Sequence, residues 1–154
     1  MAVSTHDWAM NFYFSVVFQS KWDMFRSSFM EVSGLDIQVK LERGQKFTER
    51  WAFLPRALRH GNITLKRPLP ADKKEPFTVW LNKCLKEDKK GKIIPYDMII
   101  KLLDENGEPL VSWMCTHAFP ISWTLGSLNS EKSELATETV VIAYNRLERI
   151  TQSK

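Results

Sequence analysis

Cysteine is nearly absent from these 154 residues: only Cys84 and Cys115 occur, and neither belongs to a CxxC pair. Two are too few for a disulfide framework, and the simplest compartment for synthesis is a reducing cytosol. Long apolar runs are absent too. No stretch of roughly 18 apolar residues occurs, so no helical membrane span is expected. The start, Met1 to Trp8, has neither the basic opening nor the apolar core of a secretory signal. The sequon-like Asn62-Ile63-Thr64 is therefore read as chance. Histidine is sparse: His6, His60 and His117 stand apart, and no Cys/His cluster has ligand spacing. Asp104-Glu105-Asn106-Gly107 lacks the downstream glutamate of a calcium-binding hand. No glycine-rich phosphate loop, G-x-S-x-G or H-E-x-x-H occurs. Neither a metal nor a cofactor is expected.

Charge gives little direction. The net charge is +4 with a pI near 9.1, but the basic residues are scattered. The densest cluster, Lys86 to Lys92, is interrupted by Glu87 and Asp88 and reads as a solvated helix end.

What the chain does have is large side chains: nine Phe, six Trp and three Tyr, enough to fill the interior of a barrel or sandwich or to anchor an interface. At this length a single domain with one core is expected. From Pro76 to Asp88, Phe77, Trp80, Leu81, Cys84 and Leu85 fall on one helical face. Pro76 suits the first turn, and Gly91 is the expected stop. The rest reads as strands: 11–19, a connection at 20–28, then a long strand 29–41 with a bulge or bend at Gly34. Strands at 62–67, 96–103, 110–115, 117–125 and 138–147 follow, with an Asn-Gly hairpin turn at 104–107 and a bend at Pro120. This order predicts a mainly β (α+β) fold, an antiparallel β-barrel or sandwich with one amphipathic helix packed across it.

Between Glu42 and His60 neither period holds. Arg43, Lys46, Arg50, Arg56 and Arg59 stand beside Phe47, Trp51, Phe53, Leu54 and Leu58. A loop of this length in a compact domain tends to be functional. Its aromatic residues suit base stacking, an interface between proteins, or packing on its own domain. Cys115 and His117 invite a nucleophile–base reading, since i and i+2 share a strand face. The apolar surroundings of Cys115 favour a buried thiol instead.

Several segments in one order carry a family resemblance. They are the aromatic first strand with Phe29-Met30-Glu31-Val32-Ser33-Gly34-Leu35, then Leu54-Pro55, Asn62 to Arg67 and Trp80. Ile99 to Leu103 with the 104–107 turn, His117-Ala118-Phe119-Pro120, Trp123, Leu128-Asn129 and Glu138 complete the set. Over roughly Phe12 to Tyr144 the chain resembles the inner-tube proteins of contractile phage tails and contractile injection systems. That family is similar in fold to the tube protein of type VI secretion. The family usually has glycine after the Lys-Arg pair, where Pro68 stands here, so the turn there is expected to differ.

The resemblance implies a non-catalytic structural protomer. Six copies form a ring, and rings stack into a hollow tube that sheath contraction drives through a target envelope. The implied partners are further copies, a sheath protein, baseplate and tube-terminator proteins, and cargo in the lumen. Segment 42–60 becomes an inter-ring arm, with Phe47, Arg50, Trp51, Phe53, Leu54 and Arg56 as contact residues and residues 1–10 as a tail. Lys101 and Thr137 to Thr139 are candidates for the lumen, and Lys83, Lys86 and Lys89 for a neighbour or the sheath. The alternatives are a first-ring initiator at the baseplate, a nucleic-acid-binding barrel using the arm, and an enzyme using Cys115 and His117.

Overall fold

Alternation decides most of the architecture. In the first strand, β1 (Tyr13–Gln19), Phe14, Val16 and Phe18 occupy one face, and Val16 and Phe18 are fully buried. The computed structural model describes residues 13–36, 38–43, 53–59, 61–86, 93–126 and 136–150, with the backbone alone at 38–43 and 53–59. The further strands are β2 (Met24–Phe29), β3 (Glu31–Ser33), β4 (Gln38–Arg43), β5 (Phe53–Arg59), β6 (Ile63–Pro68), β7 (Tyr96–Leu103), β8 (Pro109–Leu125), β9 (Thr137–Ala143) and β10 (Arg146–Ile150). One helix, α1 (Pro76–Cys84), joins them among the described residues.

Eight strands form one antiparallel sheet in the order β2-β1-β7-β8-β9-β6-β3, with β10 also paired to β8. β4 and β5 form a separate two-stranded sheet. The long β8 runs through both halves of the large sheet: its first part pairs with β7 and β10, its second with β9. Inward residues from both halves meet in one core that includes Phe18, Phe29, Ile63, Leu65, Met98, Ile100, Cys115, Val140 and Ile142. The result is the mainly antiparallel, sandwich-like sheet that the alternation predicts, with one helix among the described residues.

Four local readings need correction. Residues 20–28 are not a connection. The Ser20 hydroxyl accepts the N–H groups of Trp22 and Asp23 in a tight turn, and β2 returns along β1 with Phe29 opposite Phe14. Ser27 interrupted the apolar pattern of β2, yet it is buried as well, with its hydroxyl taking a hydrogen bond from Arg67.

Residues 29–41 are not one strand. The chain breaks at Gly34, whose φ is +92°. A Cβ there would lie 2.2 Å from the backbone oxygen of Asn62. Both the left-handed backbone and the close approach require glycine. Gly34→Ala is expected to cost about 2 kcal/mol or more, read as a lower urea midpoint. An unchanged midpoint would contradict the close approach.

Residues 42–60 are not simply a loop, because β4 and β5 pair from Gln38↔Arg59 to Arg43↔Phe53. Lys40 faces Ala57 and Leu41 faces Pro55, which leaves Arg56 as an extra residue in β5 and breaks the period of that strand.

Helix α1 ends before Asp88, and Gly91 lies outside the described residues. Leu85 leaves helical geometry, its N–H reaches Leu81 O, and its side chain turns in against the core. At the other end Glu75 caps the helix, its carboxylate accepting Thr78 N–H at 3.0 Å.

Candidate assembly surfaces

Seven residues after the end of β6, the Glu75 cap does more than close a helix. Its carboxylate takes two hydrogen bonds from Arg67, 3.0 Å from Nη1 and 2.9 Å from Nη2. Arg67 Nε donates to Glu138 at 2.6 Å, Nη1 also to Ser27 at 2.7 Å, and Nη2 also to Thr78 at 3.2 Å. All five donors of the guanidinium fork therefore have an acceptor. The charge lies against the rings of Phe77 (4.7 Å) and Phe29 (5.6 Å). One side chain thus ties β6 to β2, β9 and the helix start.

The electrostatics follow from this geometry. Burial works against the charge on Arg67, but the bonds to Glu75 and Glu138 outweigh it and raise its pKa further. Burial also pushes the Glu75 carboxyl up, while Arg67 and Thr78 pull it down more strongly, leaving it below the ordinary range. The second Glu138 oxygen accepts the indole N–H of Trp123 at 2.8 Å.

Sequence reasoning named Arg67 and Glu138 only as parts of a resemblance. The signal for their pairing was nevertheless present in parity. Arg67 continues the inward row Ile63–Leu65, and Glu138 precedes Val140–Ile142 on the same face of the partner strand. Two opposite charges at inward positions of paired strands predict a buried ion pair. Glu138 also leaves the lumen candidates at 137–139, because it is 3% exposed and turned into this cluster.

The other predicted residues fall as follows. Phe77, Trp80 and Leu81 are buried, and Cys84 and Leu85 are half-buried against the same core. Trp80 donates its indole N–H to Ile94 O at 2.7 Å, and its ring packs edge-on to Tyr96. Lys83 and Lys86 are exposed, and Lys89 lies outside the described residues. Lys101 stands on the outer face of the sheet between Ser15 and Ser112. Phe53, Leu54 and Arg56 lie on β5, with Phe53 opposite Arg43 and Leu54 opposite Glu42. Phe47, Arg50 and Trp51 lie outside the described residues.

Cys115 and His117 do not meet. A φ of 51° at His117 turns the chain, which leaves His117 exposed and Cys115 completely buried. Burial drives the Cys115 thiol up to about 12, so it is no nucleophile at neutral pH.

The outer surface carries large apolar groups that a monomer would leave in water. Trp22 is 88% exposed, and Met24, Ile93, Leu110, Trp123 and Ile150 are exposed too. Trp123 also borders an open groove of about 460 Å³ with Leu69, Leu81 and Leu85. Exposed groups of this size mark contact surfaces when they gather.

Residues 10–148 match the family described as T4-like virus tail tube protein gp19. Among solved structures, a chain of the anti-feeding prophage cap (AFP tube terminating cap) is 26% identical. That match covers 93% of this chain and 89% of that one, with a TM-score of 0.72. A chain from the PVC sheath-tube complex in its extended state is 23% identical, covering 90% and 88%, with a TM-score of 0.70. Hcp1 from Flavobacterium johnsoniae is similar in fold at 14% identity, covering 89% and 94%, with a TM-score of 0.51. No curated protein matches the chain.

Proposed function

We propose a role from one premise: the chain belongs to the T4-like virus tail tube protein family. It is a structural protomer of the inner tube of a phage tail or contractile injection system. Six copies close a ring, rings stack into a hollow tube, and sheath contraction propels that tube. The chain acts as a single domain over residues 1–154, with 1–10 as a tail and 42–60 as the arm between rings. It performs no catalysis and needs no cofactor. Its partners are its own copies, the sheath protein, and the baseplate and terminator proteins, with cargo in a lumen lined in part by Lys101. It is made in the cytoplasm and works in the assembled tail or particle.

One observation carries the assembly reading. The β4–β5 hairpin pairs only with itself among the described residues and lies outside the large sheet. A lone two-stranded hairpin is marginal in water and gains stability by packing on a further surface. In a stacked ring that surface is the neighbouring copy, and a contact between two different patches that does not close makes a filament.

Phe47, Trp51, Phe53 and Leu54 are the proposed anchors of the arm, with Arg50 and Arg56 beside them. Trp51→Ala is expected to leave the fold intact and raise the concentration needed for tube assembly about tenfold or more. Negative-stain microscopy with a matched circular dichroism spectrum checks this. Normal tubes at the parental concentration would sink the arm assignment.

A ring at one end of the tube is the second reading, favoured by the likeness to a chain of a tube-terminating cap. A shaft protomer extends tubes of constant width from its own purified chain. A terminal ring stops at a single layer.

A further inference from the structure

Two groups of exposed apolar residues sit at opposite ends of the same half of the large sheet. At one end the turn after β1 projects Trp22 (88% exposed), with Met24 (68%) following it. Ile93 (68%) lies at this end too, just before β7, since Gln19 pairs with both Met24 and Asp97. At the other end are Leu110 (55%) and Ile150, which pairs with Ser112. They flank the 104–108 turn beside Leu103, the partner of Tyr13. The seven residues of β1 separate the two ends by roughly 20 Å.

Their charges differ in kind. At the first end Lys21 lies over the Trp22 ring with Nζ 5.8 Å from its centroid. The acid of that turn, Asp23, is already engaged by Met24 N–H and the Tyr96 hydroxyl. At the second end Asp104, Glu105 and Glu108 share a turn that contains no basic residue. Asp104 is used internally, accepting the N–H groups of Asn106 and Glu108, which leaves Glu105 and Glu108 as the outward acids.

A dimer about a twofold axis uses one patch twice, whereas two unlike patches at opposite ends suit head-to-tail repetition. We infer that the Trp22 end of one copy seats on the Leu110 end of the next, Trp22, Met24 and Ile93 covering Leu110 and Ile150 while Lys21 meets Glu105 and Glu108. The occupant of each end is a second copy of this chain. The contact presupposes the tube role proposed above, and it is separate from the arm, since none of its residues belongs to β4 or β5. A half-exposed aliphatic pair facing a tryptophan with a complementary charged rim is the composition of an interface hot spot.

The test places cysteines on the rim and leaves the apolar centre untouched. Lys21→Cys and Glu108→Cys are combined in a Cys84→Ser background, and assembled tubes are oxidised mildly. A ladder of covalent dimers, trimers and longer species on non-reducing gels is expected, and neither single-cysteine control gives one. A second variant, Trp22→Ser with Leu110→Ser, alters only exposed positions and should fold. It is expected to need about tenfold or more protein to assemble. Tubes that form but give no ladder, or an unchanged assembly threshold in the serine variant, overturn this contact and leave the tube role standing. A parental chain that forms neither rings nor tubes overturns the tube role, and the contact with it.

Discussion

Replacing Arg67 with alanine is expected to cost about 3–5 kcal/mol of folding stability. Glu138 is 3% exposed and takes its charged bond from Arg67 Nε, so removal of the guanidinium strands a carboxylate inside the protein. Ser27 and Thr78 lose a donor at the same moment, and Phe29 and Phe77 lose the cation they cover. For a chain of this length the loss corresponds to a fall of roughly 10 °C in the melting temperature. Arg67→Lys keeps the charge but cannot reproduce the planar fork that serves Glu75 with two nitrogens. It is expected to recover only part of the loss.

The diagnostic variant is the pair Arg67→Met with Glu138→Gln. The double change no longer strands the buried Glu138 carboxylate, and only the more exposed Glu75 loses its partner, so it should be less harmful than the sum of the singles. Urea denaturation of the four proteins supplies the cycle. A loss under about 1 kcal/mol for Arg67→Ala would show that the cluster does not hold the helix to the sheet.

Phe77→Ala is expected to rival it, at about 3–5 kcal/mol. The ring is completely buried and packs against Phe18 at 5.2 Å, Phe29 at 5.2 Å and Trp80 at 5.8 Å. It lies in the first turn, two residues from the Glu75 cap, and also covers Arg67. Truncation therefore opens a cavity where the helix, β1 and β2 meet in aromatic contact beside the charge cluster. Phe77→Leu keeps most of the volume and should cost much less. Equal losses for the two substitutions would mean that the aromatic edge contacts, rather than volume, set the energy.

The features legible in the sequence were those with a regular period. Phe77, Trp80 and Leu81 repeat at helical spacing, and Asp104 to Gly107 has the composition of a hairpin turn, closed here by Gly107 N–H to Asp104 O at 2.9 Å. Strand β1 announced itself by strict alternation. What escaped was set by tertiary contact. Ser27 looked like a loop residue because its buried place depends on Arg67, which is 40 positions away. Gly34 looked like a bulge within one strand because its real constraint is the carbonyl of Asn62. The extra residue Arg56 shifts the pattern of β5 by one against β4, so β5 resembled part of an irregular loop. Cys115 and His117 seemed to share a face only while β8 was imagined straight.

The residues proposed for assembly were legible as types rather than as places. Aromatic and basic side chains in segment 42–60 suggested contact, and β4 and β5 give that segment a paired backbone frame. In the stretch 20–28, Trp22, Met24 and Phe25 look too apolar for free solvent; Phe25 packs against the core, whereas Met24 is exposed and so, at 88%, is Trp22. Only its exposure and its distance from Leu110 give it meaning.

Strand β8 has a mechanical consequence. Its 17 residues carry hydrogen bonds to β7, β9 and β10, so both halves of the sheet are spliced onto one unbroken backbone. The two halves cannot slide apart like stacked plates, because shear between them must break many ladder bonds together or stretch covalent chain. The close-packed aromatic interior beneath resists compression as well. A protomer pushed from one end would pass the thrust to the other with little internal give, as a strut does.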